Sequence, residues 1–279
     1  MPSVRIEGCQ TAVPFLYVEK IGNGVAEMRG KELKKEWMEA QKAGFTGWDF
    51  SRIAASVSED LLPWEYKEVV LSHIKPEAQL LDMGTGGGEF LLELGHPYDN
   101  TSVTEAWEPN VKLCKEKLAP LGIKVKQVVE DAALPFDDNA FDLVINRHEA
   151  YDISEVRRIL KPGGRFITQQ VGGRNNEWLS RFLIEDFQPE YPGLFLQNEK
   201  QKFLAHGFSI EAQNEAFPFM RFYDVAAIVY YAKILEWEFP GFSVETHFER
   251  LKSLQEMLLE RGFIETLEHR FFLSVRNEK

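Results

Sequence analysis

The stretch LLDMGTGGGEF, Leu80–Phe90, places four glycines within five positions directly after a short apolar run. This pattern is typical of a strand that ends in a tight turn before a helix. A triphosphate-binding loop needs Lys and Ser or Thr after the last glycine, where this chain has Glu89 and Phe90. A dinucleotide-binding turn needs glycines at offsets zero, two and five, and the third falls on Glu89. A purely structural turn needs only one glycine, so the stretch favours a bound ligand of another kind.

Apolar and amphipathic segments alternate around this turn. Strands are predicted at 79–83, 102–107, 125–130, 142–146 and 165–171, with helices at 89–94, 110–118 and 153–160. Helices are also predicted at 24–43, 62–74, 175–187, 196–206, 222–235 and 248–261, and late strands at 208–216 and 267–276. The alternation predicts an α/β fold with a doubly wound, seven-stranded, mostly parallel sheet that a late antiparallel strand closes. Ligands of such sheets bind at the carboxyl ends of the strands.

The spacing Asp82, Gly84, Gly86 and Gly88 gives an Asp-x-Gly-x-Gly-x-Gly motif. On this motif the chain resembles the class I S-adenosylmethionine-dependent methyltransferases, of the type 11-like kind, with a Rossmann-like sheet. Their ligand carries a sulfonium and an ammonium but no phosphate, so acidic residues beside the turn attract it. The resemblance implies that S-adenosylmethionine is the cofactor and that Thr85 lies with the glycines in the binding loop.

Further matches follow in the order that the family requires. The resemblance implies a ribose-binding acid after the second strand; Glu108 in VTEAWEPN is the favoured candidate, and Glu105, expected inside the strand, is the competitor. In VVEDAALPF, Asp131 and Ala132 match the adenine-binding positions, and in FDLVINRH, Asn146 matches the end of the fourth strand. The element LKPGG before the next strand is structural, because Pro ends a helix and Gly permits the turn.

The core motif does not identify which residues take part in methyl transfer. His148 is the candidate base by its intrinsic pKa, with Glu149 as its partner or as the base itself; both could instead only cap a helix or line the pocket. Arg147 could bind an acidic substrate or pair with nearby acids, and Gln170 could bind substrate or only finish its strand. Aromatic residues add further substrate candidates, which core packing would equally explain: Trp48, Tyr66 and Phe222.

Residues 1–60 are expected to form an N-terminal helical extension that acts as a lid. Residues 61–279 are expected to form the methyltransferase domain, with a helical and aromatic insertion around 217–255.

The overall composition limits which substrates, bound metals and cellular locations are expected. The net charge of −12 disfavours a nucleic-acid substrate, because binding phosphates needs a basic surface. Two cysteines without metal-type spacing predict neither a disulfide framework nor a metal site. No signal peptide or membrane span is recognised, which predicts a cytoplasmic protein.

The sequence thus predicts an enzyme that methylates a small molecule. An RNA or protein methyltransferase and a non-catalytic S-adenosyl-ligand-binding protein are the alternatives, and the oligomeric state is open.

Overall fold

The computed structural model describes residues 15–45 and 50–279, with side chains described from residue 29 onward. The helices are α1 Phe15–Lys42, α2 Tyr66–Leu71, α3 Glu89–Glu93, α4 Glu108–Lys117, α5 Ile153–Ile159, α6 Glu177–Leu183, α7 Leu196–Ala205, α8 Val225–Ile234 and α9 Val244–Arg261. The strands are β1 Val57–Glu59, β2 Leu80–Met83, β3 Thr101–Glu105, β4 Lys124–Gln127, β5 Phe141–Arg147, β6 Leu160–Val171, β7 Phe208–Ala216, β8 Phe219–Phe222, β9 Ile264–Leu267 and β10 Arg270–Asn277.

The main sheet has seven strands in the order β4-β3-β2-β5-β6-β10-β7. Strands β2 to β6 pair in parallel, and β10 runs antiparallel between β6 and β7. This confirms the predicted Rossmann-like sheet with one late antiparallel strand. The order reverses at β2, whose neighbours are β3 and β5, so the sheet opens a crevice at the carboxyl end of β2.

Alternating side chains of the strands bury both faces of this sheet. Leu80 belongs to a core with α2, α3 and α4, whereas Leu81 and Met83 belong to a core with α5 and α7. Because successive strand residues point to opposite faces, helices must cover both sides of β2. The glycine turn then leaves β2 between the two helical layers.

A second sheet, with the strand order β1-β8-β9, was not predicted. It contributes to a separate hydrophobic core that also includes residues of α1, α6, α8 and α9. The N-terminal helix is tied to the late helices through side chains: Lys233 Nζ donates to the carbonyl of Ala43 at 2.8 Å, and Gln41 Oε1 accepts from the Val244 amide at 2.6 Å. The N-terminal and late segments therefore pack together in one layer.

Phe222 belongs to this second core. It ends β8, pairs with Val57, is fully buried and packs edge-on against Tyr231 at 5.4 Å between ring centroids. Its ring is enclosed by α8 and its neighbours, which favours a packing role, and that Phe222 contacts substrate stays a prediction.

Candidate functional site

The glycine turn is held by backbone bonds to the neighbouring strand. The amides of Gly84 and Thr85 both donate to the carbonyl of Thr104, each at 3.1 Å. Gly84, Gly86 and Gly88 have φ between 61° and 78°, a region that residues with a Cβ rarely adopt. The Cys114 thiol donates to the carbonyl of Gly86 at 3.1 Å. The turn is therefore fixed in a conformation that exposes backbone to a ligand.

Glu105, and not Glu108, faces this turn. Strand β3 ends at Glu105, two residues earlier than predicted, and Glu108 begins α4. Glu105 is buried, and its carboxylate accepts from the amide of Gly86 at 2.8 Å and from those of Ala106 and Trp107 at 3.0 Å. Glu108 is exposed and accepts from Gln127 Nε2 at 2.8 Å. The choice of Glu108 as the acid at the strand end was wrong because the strand stops before it.

A pocket opens beside Glu105 at the carboxyl ends of β2 and β3. Its lining consists of Met83, Gly84, Thr104, Glu105, Ala106, Val128, Asp131 and Glu149. Asp131 thus lies at the pocket as the motif implied. Ala132, the next residue, is exposed and lies outside this lining.

Acidic groups dominate the electrostatics of this pocket. Burial raises the pKa of Asp82 to about 7; the Thr85 hydroxyl and the Arg147 charge oppose this rise, and the Glu105 carboxylate adds to it. Burial likewise raises the pKa of Glu149, with further contributions from Glu105 and Asp131. Carboxylates that repel one another in a small pocket favour a cation that would relieve the repulsion.

The Glu149 side chain lies directly over the glycine turn. A Cβ placed on Gly84 would be 2.5 Å from both the Cβ and the Cγ of Glu149. The absence of a side chain at Gly84 is thus what lets Glu149 approach the loop. The Glu149 carboxylate is therefore close enough to contact a ligand bound at the glycine turn.

Three residues that were predicted to bind cofactor or substrate form hydrogen bonds within the protein, beneath the strand ends. Asn146 is fully buried, and its Oδ1 accepts from Thr168 Oγ1 at 2.9 Å and from Gln170 Nε2 at 2.7 Å. The buried Gln170 also donates to the carbonyl of Glu149 at 3.0 Å. Tyr66 is buried, and its hydroxyl donates to the carbonyl of Asn146 at 2.9 Å. Gln170 and Tyr66 therefore brace the strand ends, and that they line a substrate pocket stays a prediction. Trp48 lies outside the described residues.

His148 is neutral and linked to β6. Its backbone has φ of 65°, and its amide donates to the carbonyl of Gln169 at 2.8 Å. The residue keeps contact with solvent, yet the surrounding protein and the charges of Arg270 and Arg147 lower the pKa of its imidazole to about 3. At neutral pH this imidazole is a hydrogen-bonding group and only a weak base.

Arg147 is exposed at the end of β5. Its guanidinium carbon lies 4.4 Å from the centre of the Phe90 ring, a cation–π contact. Phe90 in turn packs on Tyr66, with 5.5 Å between ring centroids. Arg147 therefore has a fixed position between the glycine turn and His148.

Comparison with known proteins agrees with this geometry. Residues 81–168 match the family model of the methyltransferase domain. The ubiquinone/menaquinone biosynthesis C-methyltransferase UbiE of Cupriavidus metallidurans is 27% identical over 147 residues, which are 46% of this chain and 60% of that protein. The demethylmenaquinone methyltransferase of Thermus thermophilus is 32% identical over 116 residues, 38% of this chain and 53% of that protein. The chain thus spans about 60% or less of the length of these relatives.

Two solved structures share the fold. A candidate methyltransferase from Bacillus halodurans C-125 aligns with a TM-score of 0.51 and 15% identity, over 77% of this chain and 99% of that one. The YcgJ protein from Bacillus subtilis aligns with a TM-score of 0.52 and 16% identity, over 77% of this chain and 98% of that one. At such identities the likeness shows the fold alone.

Proposed function

We propose that this chain is a class I S-adenosylmethionine-dependent methyltransferase that transfers a methyl group to a small-molecule acceptor; the match of residues 81–168 to the methyltransferase domain supports this. The observation that carries this proposal is the acidic pocket against a rigid glycine turn, where Glu105, Asp131 and Glu149 face one crevice. Relatives named for ubiquinone and menaquinone biosynthesis support a small-molecule acceptor.

The pocket residues fit the chemistry of this cofactor. Glu105 has three of its roughly four acceptor positions filled by backbone amides, which leaves one for a ribose hydroxyl. Asp131 would accept from the adenine amino group, beside the backbone of Ala132. Asp82 and Glu149 would compensate the positive charges of the amino-acid part. When bound, S-adenosylmethionine supplies a methyl group on its sulfonium sulfur. After the transfer, that sulfur is left as a neutral thioether.

The chain's part in the transfer is to hold the acceptor and exclude water. Transfer by in-line displacement depends on alignment, and a strong base is needed only when the acceptor has a proton of high pKa. His148 and Glu149 flank the strand end, where an acceptor would approach the glycine turn. With its low pKa, His148 would orient an acceptor, whereas Glu149 is the stronger base. The layer of α1, α8 and α9 would serve as a lid.

An assay of methyl transfer separates this proposal from its rivals. Methyl-labelled S-adenosylmethionine is incubated with the protein and a cell extract divided into metabolites, RNA and protein. We expect label in the metabolite fraction, with S-adenosylhomocysteine formed in equal amount. Label in RNA or protein would favour a macromolecular acceptor. Cofactor binding without transfer in any fraction would favour a non-catalytic ligand-binding protein.

The Asp82 carboxyl predicts an unusual pH dependence. Its folded-state pKa of about 7 lies above the ordinary aspartate pKa of 3.8, so the folded state binds an extra proton at pH values between the two. The stability that this group contributes is complete below about pH 4 and is lost as the pH rises through about 7. Asp82→Asn should therefore raise the free energy of unfolding at about pH 8, on the order of 2 kcal/mol, and change it little at about pH 4.

Denaturant unfolding of both proteins at the two pH values measures this difference. The same variant should bind S-adenosylhomocysteine about tenfold more weakly, because a charge facing its ammonium is lost. An Asp82→Asn protein that is less stable than wild type at about pH 8 would contradict the assignment of a strained carboxylate.

A further inference from the structure

Arg147, His148, Gln169 and Trp64 form a cluster, here called the Arg147 subsite, on one face of the strand ends. In the parallel pairing of β5 and β6, Arg147 lies beside Gln169, and Gln169 lies beside Phe272 of β10. Directly paired residues project to the same face of a sheet, and successive residues alternate. Asn146 and Gln170 thus project to the opposite face.

The Arg147 guanidinium has no carboxylate partner. Within residues 29–45 and 50–279, no ion pair or hydrogen bond engages it; it stacks on the Phe90 ring, and its charge lowers the pKa of the buried Asp82 carboxyl and of the His148 imidazole. The chain carries 44 acidic residues against 32 lysines and arginines, so an accessible arginine left unpaired at the strand ends is notable. A guanidinium on an aromatic face keeps its in-plane N–H donors available for a planar anion such as a carboxylate.

The hydrogen bonds of the cluster determine which nitrogen of His148 carries the proton. Trp64 Nε1, which can only donate, points at Gln169 Oε1 at 2.8 Å, and this fixes the orientation of the Gln169 amide. The Gln169 Nε2 group then faces His148 Nε2 at 3.3 Å, so Nε2 must accept. The proton of the neutral imidazole lies on Nδ1, for which the described part of the chain provides no acceptor.

The Arg147 subsite places positive charge on the same face of the sheet as the acids Asp82 and Glu105, but at the end of β5. Arg270 is held by Glu268 and by Asn175 Oδ1, yet its charge acts on the His148 imidazole together with that of Arg147. Acids surround the glycine turn, whereas the Arg147 subsite combines a free guanidinium with a free imidazole N–H. The buried rings of Trp64 and Phe272, 5.3 Å apart, pack behind Gln169 and hold it in place.

We propose that the Arg147 subsite binds a carboxylate of the methyl acceptor, with Arg147 as ion-pair partner and His148 Nδ1 as hydrogen-bond donor. The acceptor is therefore a small organic anion. This inference rests on the proposed methyltransferase function. It makes Arg147 and His148 residues that determine specificity.

Fractionation of the metabolite extract by charge tests the inference. At about pH 8, metabolites are separated into anion-exchange-retained, cation-exchange-retained and unretained fractions, and each is assayed with labelled S-adenosylmethionine. We expect the acceptor in the anion-exchange-retained fraction. An acceptor confined to either other fraction would overturn the inference while leaving the methyltransferase function intact. Absence of transfer in every fraction would instead count against the proposed function.

Three variants locate the effect at Arg147. Arg147→Met keeps an unbranched side chain beside Phe90 and removes the charge; we expect KM for the retained fraction to rise at least about tenfold with kcat little changed. Arg147→Lys should recover part of this loss, because it keeps the charge without the planar fork. Arg276→Met is the matched control, since Arg276 is exposed on β10 beside Arg165, away from the strand ends, and its KM should match wild type.

The cofactor has a carboxylate of its own, which could also pair with Arg147. Binding of two cofactor analogues tests this alternative. S-adenosylhomocysteine carries this carboxylate, whereas 5′-methylthioadenosine lacks it. We expect Arg147→Met to bind both as wild type does. Weaker binding of S-adenosylhomocysteine alone would assign Arg147 to the cofactor and overturn the inference.

A defined probe makes the test independent of the extract. Ligand-observed NMR of the S-adenosylhomocysteine complex should show benzoate binding to wild type, with little binding of the neutral isostere benzamide. Benzoate affinity should fall at least about tenfold in Arg147→Met and stay unchanged in Arg276→Met. Equal binding of benzoate and benzamide would contradict a charge-selective subsite.

Discussion

Glu105→Ala is expected to weaken S-adenosylhomocysteine binding about 100-fold, whereas Glu108→Ala leaves it nearly unchanged. A hydrogen bond to a charged group contributes about 1.5–3 kcal/mol, and each 1.4 kcal/mol is about tenfold in affinity. The Glu105 carboxylate also holds the amides of Gly86 and Trp107, so its removal loosens the turn as well as the ligand. Isothermal titration of the two variants and wild type measures the effect.

Glu108→Ala is the matched control for this prediction. It removes an acid of the same type three residues away, whose carboxylate is exposed and bonded only to Gln127 among the described residues. Circular dichroism should show both variants folded. Tight binding by Glu105→Ala, or equal losses in the two variants, would contradict the assignment of Glu105 to the ribose.

Phe222→Ala is expected to lower the free energy of unfolding by about 3–5 kcal/mol. The Phe222 ring, at the end of β8, is fully buried against α8. Its truncation leaves a cavity that the surrounding helices cannot fill. Denaturant unfolding measures this loss. Under conditions where the variant remains folded, S-adenosylhomocysteine affinity should equal that of wild type, because the ring lies outside the cofactor pocket.

Tyr223→Ala controls for the loss of an aromatic ring at the adjacent position. Tyr223 is 46% exposed, and its hydroxyl is 3.0 Å from Ser58 Oγ. Removal of an exposed side chain changes stability by about 0.5 kcal/mol or less. If Phe222→Ala were as stable as Tyr223→Ala and altered only substrate KM, Phe222 would be a substrate residue after all.

The main sheet was predictable because its signals are local. Its central strands β2 and β5 are short apolar runs followed by turn signals, and the glycines after Met83 mark the strand end that is expected to hold a ligand. Strand β7 was predicted with its bounds, Phe208–Ala216, as observed. The small sheet was not predictable in this way. Its strands have three or four residues, and β1 pairs with β8 across more than 150 residues of chain, so no local periodicity indicates the pairing.

The differences between the predicted and the observed site come from strand ends and from burial. The acid at the end of β3 depends on where that strand stops, and a prediction two residues too long moved the choice from Glu105 to Glu108. An aromatic or amide side chain looks the same in sequence whether it lines a pocket or supports one. Tyr66 and Gln170 support the strand ends, since their polar atoms bond there. A buried strand end needs such partners for its backbone groups.

The separation of charge at the strand ends links the cofactor to the acceptor. Acids lie around the glycine turn on one side, and Arg147 stands at the end of β5 on the other. A cationic methyl donor and an anionic acceptor would each be drawn to its own side, with the reacting atoms between them.

Among the described residues, no helix is long and apolar enough to cross a bilayer.

The crystal structure of the protein with S-adenosylhomocysteine tests the central claim most directly. The account predicts a ribose hydroxyl in hydrogen-bonding contact with Glu105, the adenine amino group at Asp131, the amino-acid part on the glycine turn, and the Arg147 guanidinium free of the ligand's carboxylate. A ribose bound at Glu108, or a ligand bound away from the carboxyl ends of β2 and β3, would contradict it.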